Sequence, residues 1–90
     1  MAVTVRIPQF LEQFTNKERE IEVEGSTVGE CLKNLVRKFP GAKQEIFDKN
    51  GDIIYYIDVY VNNESAYPNT LIKPVEDGDD ISIVLMLSGG

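Results

Sequence analysis

The chain has 90 residues, of which 42% are hydrophobic and 27% charged, and its formal net charge is −6. This length is enough for one domain with a single modest core. Nine Lys and Arg residues are scattered among 15 Asp and Glu residues. Nucleic-acid binding is therefore not expected, because it calls for a basic patch. The acidic balance favours a protein partner with a basic surface, since complementary charge speeds encounter.

Nothing in the sequence predicts export or membrane insertion. No N-terminal apolar run resembles a signal peptide, and no apolar stretch approaches the length of a membrane span. The single cysteine, Cys31, excludes an intramolecular disulfide and agrees with a reducing compartment. We therefore expect a cytoplasmic protein without a membrane partner.

The N-terminal part of the chain predicts two antiparallel strands. Apolar and polar residues alternate strictly over residues 3–7 and again over residues 20–24, which is typical of strands with one buried face. The connection between them carries Phe10, Leu11 and Phe14, and we expect it to fold back on the core.

A helix is predicted next. Thr27 and Glu30 match a capping box, in which each side chain satisfies a free backbone N–H at the helix start, and Pro40 with Gly41 ends the helix. Its apolar residues fall on one stripe: Val28, Cys31, Leu32, Leu35, Val36 and Phe39. We expect Cys31 to be a core residue, since free cysteine is among the most buried residue types.

The segment after the helix predicts a short second helix and a third strand. Residues 42–48 form the short helix, with Ile46 and Phe47 facing inward. Asn50-Gly51 is a strong turn signal, and residues 53–61 are rich in β-branched and aromatic residues.

The remainder of the chain predicts an irregular segment and a last strand. Residues 66–75 contain two prolines and form at most a short edge strand. Asp77, Asp79 and Asp80 belong to an acidic turn. They lack the spacing and the glutamate of an EF-hand, so we interpret them as solvated charges. Residues 81–87 read as the last strand.

This order of elements predicts an α+β protein. One amphipathic helix covers only one face of a sheet, as in the β-grasp fold, so we expect a mixed sheet with one main helix on one face. A right-handed crossover would bring the last strand beside the first, in parallel.

Three short stretches together carry a family resemblance. Residues 75–81 read Val-Glu-Asp-Gly-Asp-Asp-Ile, residues 59–63 read Val-Tyr-Val-Asn-Asn, and residues 87–90 read Leu-Ser-Gly-Gly. The combination resembles the ThiS/MoaD sulfur carriers, which are ubiquitin-like proteins with a Gly-Gly terminus. The Phe39-Pro40-Gly41 turn and the long segment that follows it look more like the carriers of cysteine biosynthesis than the shorter thiamine-pathway carriers. Leu85-Met86 stands where many members have prolines.

The resemblance implies a division of the chain and a chemistry. Residues 1–87 would form the β-grasp domain and residues 88–90 a flexible tail. Gly90 would be adenylated and then converted to a thiocarboxylate, while Gly89 keeps the tail narrow. No cofactor would be bound, because the ATP is used by the activating enzyme. The protein would be a co-substrate and not an enzyme.

The same resemblance implies the partners. These are an adenylating enzyme related to ubiquitin activators, a sulfur donor, and an acceptor such as a cysteine synthase or the large subunit of molybdopterin synthase. Alternation along the last strand places Val84 and Met86 on the uncovered sheet face, together with Tyr60. We predict that these three residues, with Leu87 and Ser88, bind partners. It is equally open that these side chains are exposed without any binding role, or that a loop covers them.

Three other functions remain open on the sequence. The chain is compatible with a ubiquitin-like modifier joined to lysines, with the small subunit of molybdopterin synthase, and with a plain β-grasp interaction domain. Histidine is absent, which excludes His-based catalytic triads and His metal sites.

Overall fold

The computed structural model describes residues 2–86. The predicted tail, residues 88–90, and the domain boundary after Leu87 lie outside these residues. The strands are β1 (Ala2–Arg6), β2 (Glu20–Glu24), β3 (Ile57–Val61), β4 (Glu64–Ser65) and β5 (Asp80–Leu85). The helices are α1 (Val28–Lys38) and α2 (Lys43–Ile46), with 3-10 turns at Gln9–Phe14, Pro40–Ala42 and Thr70–Ile72.

The five strands form one mixed sheet in the order β2-β1-β5-β3-β4. β1 pairs with β5 in parallel, and the other neighbours are antiparallel. The predicted parallel pairing of the first and last strands is therefore confirmed, and so is the β-grasp architecture. β5, which precedes the predicted tail, is the middle strand and is bonded on both sides.

α1 packs on one face of the sheet through the predicted stripe. Val28, Cys31, Leu32 and Leu35 are fully buried, while the last two stripe residues, Val36 and Phe39, are partly buried. Burying a side chain such as Leu35 contributes about 1.5–3 kcal/mol, so this stripe supplies much of the force that holds the helix on the sheet.

The start of α1 follows the predicted cap with one difference. The Glu30 backbone N–H donates to Thr27 Oγ1 at 3.1 Å, as expected. The Glu30 carboxylate accepts from the backbone N–H and hydroxyl of Ser26, at 2.8 and 2.9 Å, and not from the N–H of Thr27. These bonds to Ser26 lower the pKa of Glu30.

Two strand boundaries were predicted wrongly. The third strand begins at Ile57 and not at residue 53, because its partner β5 ends opposite Ile57 at Leu85. Upstream, the chain turns instead, with Ile57 N bonded to the Ile54 carbonyl at 3.0 Å. β5 likewise ends at Leu85, so Met86 lies outside the strand.

The edge strand β4 also forms earlier than predicted. It occupies Glu64–Ser65, directly after a tight turn, and not the irregular segment 66–75. The turn is possible because Asn62 and Asn63 both adopt positive φ angles, of 49° and 72°, a region that asparagine tolerates. Residues 70–72 form a 3-10 turn in place of further strand.

The carboxylates of the acidic turn before β5 are exposed or half-buried, in line with their interpretation as solvated charges, and they also accept hydrogen bonds. Asp77 Oδ1 accepts from the Ala2 backbone N–H at 2.8 Å. Asp79 accepts from Asn62 Nδ2 at 3.0 Å and from the Glu76 N–H at 2.8 Å. The turn therefore joins the start of β1 and the end of β3 to β5.

Candidate functional site

The base of the predicted tail is held at the end of the middle strand. The Met86 backbone N–H donates to the Tyr56 carbonyl at 2.7 Å, one position beyond the last strand pair, Ile57 with Leu85. Four of the predicted site residues follow, and all lie outside the described residues: Leu87, Ser88, Gly89 and Gly90. The structure therefore fixes the position of Met86, the last described residue before them, and both the start of the tail and the roles of those four residues remain predictions.

Tyr60 and Val84 lie on the sheet face that α1 leaves open. Val84 is opposite Asp58 in the register of β3 and β5, and Tyr60 is opposite Ser82. Buried Ile57, Val59 and Val61 alternate with Asp58 and Tyr60 and point to the helix side. Val84 is 39% exposed and Met86 46% exposed, so the apolar surface nearest the tail is accessible. Its role in binding stays a prediction.

The open sheet face is mainly acidic along β2, at the edge of the sheet. Glu20, Glu22 and Glu24 on β2 are all exposed. Among the described strand residues of this face the one cation is Arg6, which lies 3.4 Å from Glu20 and 3.5 Å from Asp80. Such exposed pairs contribute about 0–1 kcal/mol. The face therefore presents a negative surface next to the apolar residues at the tail base.

The sequence did not indicate a groove beside this face. We call it the edge groove: a cleft of about 770 Å³ lined by residues from the segments 52–58 and 65–72 and by Met86. Tyr55 and Tyr67 line it. The groove was not predicted because residues 53–61 were interpreted as one strand. Aromatic residues in a strand are expected to pack against their neighbours, whereas here they project from a turn.

Cys31 is the only thiol of the chain, and it is fully buried in the core, as predicted. Burial raises its pKa, and the neighbouring Glu30 carboxylate adds to the effect. A thiol in this state is a poor nucleophile, because the thiolate is the reactive form. Cys31 is therefore a packing residue.

Two kinds of feature are absent from residues 2–86. No group of three or more Cys, Asp or Glu side chains in this range is arranged to hold a metal ion. No helix in it is long and apolar enough to cross a membrane.

Comparison with known proteins identifies the relatives of the chain. The chain is 28% identical over 93 residues to the sulfur carrier protein CysO of Mycobacterium tuberculosis, covering 100% of both. It is 31% identical over 71 residues to the small archaeal modifier protein 1 of Haloferax volcanii, covering 78% of each. A chain in the crystal structure of the Amycolatopsis orientalis BexX/CysO complex superposes with a TM-score of 0.89 at 33% identity, covering 99% of this chain and 100% of that one.

The family model that matches is described as the ThiS family, and the match covers residues 5–90. It includes every strand and helix after the first residues of β1, and it extends through Gly89 and Gly90. The chain belongs to the ThiS family.

Proposed function

We propose that this protein is a sulfur carrier whose Gly90 carboxylate is converted to a thiocarboxylate. The observation that carries this proposal is the family match through residues 5–90, which includes two glycines shortly after the middle strand. The protein acts as a co-substrate, and the chemistry is performed by its partners.

The chemistry requires activation by ATP. An α-carboxyl group has a pKa of about 3.3–3.7 and is anionic at neutral pH, so it is a poor electrophile. Attack of the Gly90 carboxylate on ATP releases pyrophosphate and gives an acyl adenylate. A sulfur donor then displaces AMP and leaves sulfur on the carbonyl carbon. The resulting thiocarboxylate is a nucleophile that an acceptor enzyme can position and shield from water.

The fold supports this role through the position of β5. Because β5 is bonded to β1 on one side and β3 on the other, the strand that precedes the predicted tail is fixed relative to the whole sheet. A partner that binds Val84, Met86 and Tyr60 would therefore hold the tail base at a defined distance from its own active site. Gly89 would keep the chain narrow at the reactive end, since glycine has no Cβ.

The acceptor that we propose is a pyridoxal-phosphate cysteine synthase acting on an activated serine. The similarity to CysO proteins over the full chain supports this assignment, as does the long segment between α1 and β3. The thiocarboxylate sulfur would bond to the serine-derived β-carbon as the activating group leaves, which gives a thioester. The Gly90 acyl group would then shift from sulfur to the amino nitrogen, and hydrolysis of that amide by a protease would release cysteine and restore the Gly90 carboxylate.

Intact-mass spectrometry tests the carrier function. With an adenylating enzyme of the family, ATP and a sulfur source, the protein should gain the mass difference between sulfur and oxygen, located at Gly90. A persulfide on Cys31 would add a whole sulfur atom instead, and Cys31→Ser should leave the gain unchanged. Unchanged mass with each adenylating enzyme of the family would refute the proposal.

A second candidate is a protein modifier, favoured by the similarity to small archaeal modifier protein 1. A modifier uses the same activation but ends in an isopeptide bond to a lysine. Cells would then contain heavier, reductant-resistant conjugates of this protein, whereas a carrier cycles at constant size. Isotopically labelled serine that appears transiently in its intact mass would favour the cysteine route, and sulfur transfer to a pterin would favour the molybdopterin route.

A further inference from the structure

The edge groove gathers most of the exposed apolar surface of the described residues. Within residues 2–86 five large hydrophobic side chains are exposed, and four of them line this groove: Tyr55 at 88%, Tyr67 at 77%, Ile72 at 71% and Met86 at 46%. The fifth is Val84, which lies opposite Asp58. Exposed apolar side chains that have no function are normally scattered singly over a protein surface. Four of them in one groove of a small domain therefore indicate a binding surface.

The groove exists because β4 is short. β4 pairs only with Tyr60 and Val61, and one further bond joins Ala66 N to the Val59 carbonyl at 2.9 Å. Beyond that bond the chain leaves the sheet edge and forms the 3-10 turn at residues 70–72. The first part of β3 is therefore left with an apolar channel along its outer edge.

The walls of the groove are held by the core. The Val28 N–H donates to the Lys73 carbonyl at 2.9 Å, and the Val75 N–H donates to the Ser26 carbonyl at 3.0 Å. On the other wall, Ile54 N donates to the Ile46 carbonyl at 2.9 Å. Both walls are thus bonded to the helical layer, so the groove is preformed and binding needs little reordering of the backbone.

Asp58 gives the groove a charge. Its carboxylate accepts from Ser65 Oγ at 2.9 Å and from the Val59 N–H at 2.8 Å, and within residues 2–86 no Lys or Arg forms an ion pair with it. Asp52 also lines the groove, and none of the described lining residues is cationic. The half-buried Asp58 carboxylate among apolar side chains is suited to a cation held on an apolar segment.

We propose that the edge groove binds an apolar segment of the sulfur acceptor enzyme, with a Lys or Arg of that segment paired to Asp58. This inference rests on the proposed carrier function. The occupant follows from the complementary chemistry: apolar side chains against Tyr55, Tyr67 and Ile72, and one positive charge against Asp58.

The position of the groove favours the acceptor over the activating enzyme as its occupant. The groove and the open sheet face share Asp58, Ser65 and Met86, and the remaining groove residues lie outside that face. A carrier must present one tail to two enzymes in turn. If the activating enzyme binds Val84 and Tyr60 on the open face, a separate groove lets the acceptor recognise the carrier by other residues and so select it independently.

Titration calorimetry with the unmodified protein tests the proposal without requiring any sulfur transfer. The probe is the pyridoxal-phosphate cysteine synthase of the same organism. Asp58→Asn and Tyr67→Ser should each raise the Kd by about tenfold or more, as expected for a central contact. Glu18→Gln removes an exposed charge outside the groove and should leave the Kd unchanged. Thermal unfolding of each variant shows whether it is folded.

Three results would overturn the proposal: no binding by the wild-type protein, wild-type affinity in folded Asp58→Asn and Tyr67→Ser variants, or a loss of affinity for the adenylating enzyme in Tyr67→Ser that equals its loss for the cysteine synthase. Tyr67→Ser keeps the test decisive if Asp58→Asn fails to fold, because the Tyr67 side chain is exposed. Failure of thiocarboxylate formation in the mass experiment would refute the carrier function while leaving these binding data unaffected, so the two failures are distinguishable.

Discussion

Asp58 of β3 and Val84 of β5 lie directly opposite each other on the sheet face that α1 leaves open. Asp58 also lines the edge groove, so this cross-strand pair lies where the open sheet face meets the edge groove. Met86, two residues after Val84, borders both. Charge and apolar surface are therefore concentrated around Met86, the last described residue before the predicted tail.

Val84→Asp should weaken binding to the adenylating enzyme while the domain stays folded. The substitution places a charge in the apolar patch, and facing Asp58 with a like charge should cost about 0.2–1 kcal/mol of stability. Asn50→Asp adds the same charge in an exposed turn away from this face and serves as the control. Calorimetry measures binding and thermal unfolding measures stability. Wild-type affinity in folded Val84→Asp would mean that the patch is incidental.

Gly89→Phe should abolish thiocarboxylate formation with little change in thermal unfolding. Within residues 2–86 the buried core extends from Val3 to Ile83, and we expect the tail to lie outside it, whereas the substitution widens the predicted reactive end. Leu35→Ala is the converse control, since truncating a fully buried leucine should cost about 2–5 kcal/mol. A large loss of stability in Gly89→Phe would show that the glycine is packed, and would contradict the carrier mechanism.

Gly29→Ala should destabilise the protein even though alanine is the better helix former by about 1 kcal/mol. A Cβ at this position would lie 2.7 Å from the Leu71 carbonyl oxygen, and the wall that carries Leu71 is bonded to the start of α1. Overpacking of this kind typically costs about 1–3 kcal/mol. At Gly41 the nearest atom, Phe14 Cδ1, would be 3.5 Å away, so Gly41→Ala should be tolerated. A higher Tm for Gly29→Ala would contradict the close approach.

Asp79 should contribute a pH-dependent part of the stability. The hydrogen bonds from Asn62 and from the Glu76 N–H lower its pKa in the folded state, below the value of about 3.9 for an unfolded chain. The stabilisation is therefore fully present above that value and is lost as the pH falls through the folded pKa. The Tm difference between the wild type and Asp79→Asn should be larger at about pH 7 than at about pH 3.

Asn62→Ala provides the matching control, because it removes the side-chain donor that lowers the pKa of Asp79 most. It should reduce the same pH dependence while leaving the carboxylate in place. An equal Tm difference for Asp79→Asn at both pH values would show that the charge of Asp79 does not contribute to stability.

The elements that could be predicted from the sequence are those specified by local patterns. The alternation over Glu20–Glu24 and the apolar stripe of α1 each reveal a buried face without reference to the rest of the chain. The parallel pairing of β1 with β5 followed from the general handedness of crossovers. These features determine the fold, so the fold was predictable.

The errors arose where a residue's partner is distant in sequence. Residues 53–56 have strand-like composition, but the chain turns there, with Ile57 N bonded to the Ile54 carbonyl, and among them the ladder with the C-terminal part reaches only Tyr56, through Met86. The hydrogen bonds of Asp77 and Asp79 were not predicted, because their partners, Ala2 and Asn62, are brought to them only by the folded sheet. The edge groove escaped prediction for the same reason, since its walls come from two separate loops.

The central position of β5 also has a mechanical consequence. A pull directed along the strand from Met86 would load its hydrogen bonds to β1 and to β3 together, in shear, and would not unzip them one at a time. The acidic turn at the other end of β5 ties the strand to the start of β1 and the end of β3. An enzyme could therefore draw the chain end into a tunnel under tension without extracting the strand, and the amide hydrogens of β5 should be among the slowest of the domain to exchange.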